Sequence, residues 1–164
     1  MALHAQLDEL IQRVLPVVQH FHSKGMFAPH AATIDNDGEL SGHALTTDGS
    51  TQLSVMETIE HFEKQFAQKA KSGEIQAAGI FYHSPGIDAT ANSISLPPAD
   101  STDDCHTLVA LLEHASGDSV YLLIPYSGEV PAVEYATGKL VQKTQRIFIS
   151  ELSPSAKKPW WRPW

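Results

Sequence analysis

Nine histidines stand among 164 residues, so metal and acid–base chemistry are the first possibilities that the side chains raise. A local zinc site usually places two histidines four apart on one helix, with a carboxylate nearby. No such pair occurs. His20 and His22 are two apart and project from different sides of a helix. His106 and His114 share a strand face but are eight residues apart, beyond the reach of one ion. The expectation is no bound metal and no cofactor, unless the fold gathers distant histidines such as His43, His83 and His114.

The other chemical candidates fare no better. Cys105 and His106 are adjacent, so on a strand they face opposite ways and the imidazole cannot activate the thiol. Asp103 and Asp104 beside it disfavour a thiolate. Asp35-Asn36-Asp37-Gly38 has part of the oxygen spacing of a calcium loop, but Ala44 occupies the position where such a loop closes with a bidentate Glu. A hairpin turn explains those residues more simply. Gly-x-Ser-x-Gly, phosphate-loop and dinucleotide-binding glycine patterns are all missing.

The residues most suited to recognition lie near the C-terminal end. All three tryptophans fall in Lys157-Lys158-Pro159-Trp160-Trp161-Arg162-Pro163-Trp164. Two prolines favour an extended course, and Trp and Arg dominate binding hot spots. Trp160, Trp161, Arg162 and Trp164 are therefore the expected partner-binding residues, on this molecule, a twin or another protein. Trp161-Arg162-Pro163-Trp164 resembles the terminal tetrapeptide with which Hairy-type repressors recruit Groucho-type corepressors. The rest of the chain lacks that family's basic DNA-binding helix, and the match is read as coincidence.

The elements that must position these groups follow from apolar spacing. Leu3, Leu7, Leu10, Ile11, Val14, Leu15, Val18 and Phe21 predict an amphipathic helix over 3–24, kinked or split at Pro16 and stopped by Gly25. Residues 31–35 and 39–46 predict a hairpin around Asp37-Gly38. Ser54 and Glu57 have capping-box spacing, and Val55, Ile59, Phe62, Phe66 and Ala70 line the face of a second helix ending at Gly73. Strands are expected over 75–82, 93–96, 106–114, 120–126 and 146–150. The runs 108–112 and 120–124 are apolar at odd and even positions, which predicts central strands covered on both faces.

The expected fold is α+β: two helices on a largely antiparallel sheet of about five to seven strands. Residues 1–152 form the expected domain, followed by the Pro/Trp-rich stretch 153–164. The order helix, hairpin, helix, strands is similar to that of profilin-like and roadblock-like domains, and the likeness is one of element order only.

A net charge of −8 argues against nucleic acid, which requires a clustered basic face. No apolar run is long enough for a membrane span. A single cysteine and an N-terminal stretch unlike a signal peptide make cytoplasm the expected location. The functional expectation is a non-catalytic protein-binding or regulatory accessory module, whose acidic face suits a basic partner. The alternative is a small-molecule-binding domain or enzyme. In that reading His43, Tyr82, His83, His114 and Tyr126 line a pocket between sheet and helices.

Overall fold

The computed structural model describes residues 3–26, 28–43, 55–85, 106–128, 130 and 132–149. The chain runs α1 (Ala5–Ser23), β1 (His30–Asp35), β2 (Leu40–His43), α2 (Val55–Lys71), β3 (Ile75–Pro85), β4 (His106–His114), β5 (Ser119–Ser127), β6 (Glu134–Tyr135) and β7 (Lys139–Gln142). Two helices thus pack on an antiparallel sheet of seven strands, ordered β2-β1-β3-β4-β5-β6, with β7 also on β5. β6 and β7 share the long free edge of β5, taking Tyr126–Ser127 and Val120–Leu123 respectively.

The sheet separates two apolar layers. Leu7, Leu10, Val14 and Val18 of α1 pack on Ala32, Ile34, Leu108, Ala110, Leu112 and Leu122. Ile59, Phe62 and Phe66 of α2 pack on the opposite face, against Ala78, Ile80, Val109, Leu111 and Leu123. Neighbouring residues of β4 and β5 thus enter different layers, which is why both strands are apolar throughout. Gly79 makes room for the Leu112 and Phe81 side chains under α1. A Cβ there would stand 3.1 Å from side-chain atoms of Leu112 and Phe81 and 3.6 Å from Leu10.

The chain reversals follow from local chemistry. α1 ends in a Schellman turn: Gly25 at φ 79° donates to His22 O, and Met26 donates to Phe21 O. α2 ends the same way, with Gly73 donating to Ala70 O and Glu74 to Lys69 O. In the first hairpin Asp35 Oδ1 accepts from the N–H groups of Asp37 and Glu39, and Gly38 takes φ 83°. Those aspartate contacts are turn contacts, the role expected of Asx residues.

Two sequence expectations are corrected. Of the kink or split expected at Pro16, the split does not occur: α1 is continuous through residue 16. Pro16 lies on the exposed side, where solvent replaces the missing hydrogen bond. Residues 146–149 form no strand: they are a strap across the α2 face, held by a carboxylate described below. The expected strand 93–96, the cap at Ser54, Cys105 and the tryptophan stretch lie outside the described residues.

Candidate functional site

The five residues expected to share a pocket stand in four places. His83 and Tyr126, from β3 and β5, meet on the α1 side of the sheet with ring centroids 5.6 Å apart. His43, on β2, holds Thr33 Oγ1 at 2.8 Å and lies edge-on to Phe66. His114 is at the far end of β4. Tyr82 is buried in the α2 layer, where burial pushes its hydroxyl pKa up and Oη has no hydrogen-bond partner among the described residues.

Two further residues complete the His83–Tyr126 cluster. His22, at the last turn of α1, lies 4.3 Å from the His83 ring and 4.5 Å from Tyr126. Its Nδ1 is 2.5 Å from the Tyr135 hydroxyl of β6. Burial, aided by Tyr135, pushes Tyr126 up to about 12, and burial also raises Tyr135. Both phenols therefore stay protonated at neutral pH, and the Tyr135 hydroxyl shares one hydrogen bond with His22 Nδ1, its direction set by the imidazole tautomer. The sequence did hold a signal for His22. It stands four residues after Val18 on the buried stripe of α1, and it is only 1% exposed. Tyr135→Phe removes that hydrogen bond and is expected to cost about 1–3 kcal/mol in denaturant unfolding. A loss below roughly 0.5 kcal/mol would show that the bond carries no stability.

His114 is committed to the opposite end of the sheet. Its ring stacks on His4 with centroids 3.5 Å apart. Nδ1 accepts from the Ser116 N–H at 2.9 Å, so Nε2 carries the proton and donates to Gln6 Oε1 at 2.7 Å. His4 in turn caps α1, accepting from Gln6 N–H, and its own N–H donates to Asp118.

Glu113 accepts four hydrogen bonds inside the fold. It is 0% exposed, and Lys143 Nζ donates to its Oε2 at 2.5 Å. Oε1 accepts from the N–H groups of Arg146 and Ile147 at 2.8 Å and of Phe148 at 3.3 Å. Arg146 then reaches back to Glu63 of α2 at 3.2 Å. One buried carboxylate thus fixes the strap that seats Ile147 in the α2 layer.

Burial holds His30, His43 and His114 below their ordinary value of 6.5, with Lys69 adding to the effect at His43 and His4 at His114. The unfolded chain therefore binds protons at these sites before the folded chain does, and stability falls as pH drops through 6.5. Glu63 acts oppositely but lower down: burial raises it from 4.5, so its protonation favours the fold as pH approaches that range. The melting temperature is expected to fall between roughly pH 7.5 and pH 5.5. A rise over that interval would contradict these assignments.

One open feature among the described residues is a groove of about 320 Å³ at the sheet edge. Val14 and Val17 of α1, Ala32 of β1 and Leu40 and Gly42 of β2 form its apolar lining, with Arg13, His30 and His43 alongside. Val17 is 46% exposed. A second cavity of about 340 Å³ lies by Asp118, Gln142 and Lys143, but its lysine is already bound to Glu113. Among the described residues no three His, Cys, Asp or Glu side chains gather as a metal site would require. No described helix is long and apolar enough to cross a membrane.

No protein-family model, curated protein or solved structure matches the chain.

Proposed function

We propose that this chain is a non-catalytic protein-binding module, with Trp160, Trp161, Arg162 and Trp164 as the residues that contact its partner. One observation carries the reading. Among the described residues three buried titratable side chains are spent on the fold: Glu113 on Lys143 and three backbone donors, His22 on Tyr135, His114 on Gln6 and Ser116. Catalysis instead needs such groups aimed at a space where a substrate sits. The tryptophans supply what a binding surface needs, large aromatic area on a Pro-stiffened segment with little ordering cost. The acidic body suits a basic partner surface.

The test is recovery of partners from native extract by the full-length chain and by a chain ending at Ser155. A discrete protein species that depends on the last nine residues supports the module. Equal recovery by both chains overturns the assignment to the tryptophans.

A second reading rests on the His22–His83–Tyr126–Tyr135 cluster, which gathers four polar aromatic rings at one end of the sheet. It makes the protein a small-molecule binder whose ligand lies against these rings. Native mass spectrometry of freshly isolated protein separates the two. A retained ligand of low mass, lost on Tyr126→Phe, favours the second.

A further inference from the structure

We infer that the groove between α1 and the β1–β2 edge is the seat of the chain's own Trp160–Trp164 segment. In the unliganded molecule this contact masks the partner-binding residues.

The groove supplies the apolar half of the contact. Val14, Val17, Ala32 and Leu40 line it, and Gly42 leaves the edge strand bare, with open space where its Cβ would be. At about 320 Å³ it is at the small end of ligand cavities, a size for one or two inserted rings rather than a large cofactor. β2 is also the outermost strand of the described sheet, so an extended segment meets backbone as well as side chains there.

Charge selects the occupant. Residues 153–164 contain Lys157, Lys158 and Arg162 and no acidic residue, while residues 1–152 hold eight Lys and Arg against 19 Asp and Glu. The body thus carries −11 and the segment +3. Exposed Asp37 and Glu39 stand in the hairpin that leads into Leu40, and Arg13 of the groove lining is paired with Glu9 at 3.1 Å.

Reach is ample. The strap is pinned at Glu113 on the α2 side of β4, three strands from β2, so the segment crosses about 14 Å of sheet and passes round a layer of roughly 10 Å to reach the α1 side. The 15 residues after Ile149 extend to about 45 Å even as a polyproline-like helix. Tethering on that scale gives an effective concentration on the order of millimolar, which favours the same molecule's segment over a second copy's.

The three tryptophans are the only ones in the chain, so fluorescence of the purified full-length protein reports on this contact alone. Blue-shifted emission that resists acrylamide is expected, unchanged on dilution. Val17→Lys places a cation in the groove at an exposed helix position and should shift emission to the red and restore quenching. Val130→Lys adds the same charge at another exposed position, 39% accessible and outside the groove lining, and should do neither. Gly42→Lys serves as a second groove variant, chosen for the open space around it, should the first fail to fold by circular dichroism.

Emission typical of free tryptophan in the parent protein overturns the inference. So does an equal response to Val17→Lys and Val130→Lys. A blue shift lost on dilution assigns the seat to a second copy and overturns it as well. Because the measurement uses purified protein, its failure leaves the partner-binding proposal standing, and failed partner capture leaves this contact standing. With both in place, Val17→Lys frees the segment and raises partner recovery above that of the parent chain.

Discussion

Replacing Glu113 with alanine is expected to cost about 3–5 kcal/mol, because it strips a buried ammonium of its counter-charge. Lys143 is only 2% exposed at its side chain, and beyond Glu113 its Nζ has the Thr144 carbonyl at 2.9 Å and Ser119 Oγ at 3.5 Å. The substitution also orphans the N–H groups of Arg146, Ile147 and Phe148 together. Hydrogen exchange at these three amides should accelerate more than at the centre of β4. Glu113→Gln keeps one acceptor in place for them and should cost less than alanine while still leaving Lys143 unpaired. If alanine lowers unfolding free energy by less than about 1 kcal/mol, the carboxylate does not hold the strap.

The other large effect is expected in the opposite apolar anchor of the same layer. Phe62 is 1% exposed and stacks on Phe66 with centroids 5.7 Å apart. Phe62→Ala removes that contact and leaves a cavity against the sheet, for about 3–5 kcal/mol. Denaturant unfolding measures it, and a cost below about 0.5 kcal/mol would mean that the stripe does not hold α2 down. Phe62 and Glu113 secure the same face by different physics, one through burial area and one through a paired charge. Their double variant should therefore lose more than either single variant.

The sequence made the apolar frame readable because apolar spacing is a local property. The stripes Leu7–Leu10–Val14–Val18 and Ile59–Phe62–Phe66 both meet the sheet as their periods require. The doubly apolar runs of β4 and β5 correctly marked strands covered on both faces. The polar contacts were harder, because their partners are far apart along the chain. His22 finds Tyr135 across 113 positions, and Glu113 finds Lys143 across 30.

Two signals were nonetheless present. Glu113 interrupts a strand that is otherwise apolar, and a charge in such a strand must be paired. His22 continues a buried helical stripe, which local ligand-pair rules for histidine do not consider. Residues 146–149 misled because the apolar run Ile147-Phe148-Ile149 reads as a strand, whereas the Glu113 carboxylate takes the backbone donors that a strand would give to a neighbour. β6 and β7, of two and four residues, are too short for a period to show.

Binding through the tryptophans is the central claim, and a photo-crosslinking residue in place of Trp161 tests it most directly. Illumination in the native cell should join the full-length chain to a discrete second protein, and the yield should rise in the Val17→Lys background. The same crosslinker in place of Val130 should not capture that protein. If position 161 yields no crosslink to another protein in either background, the segment is not a partner-binding surface and the account fails at its centre.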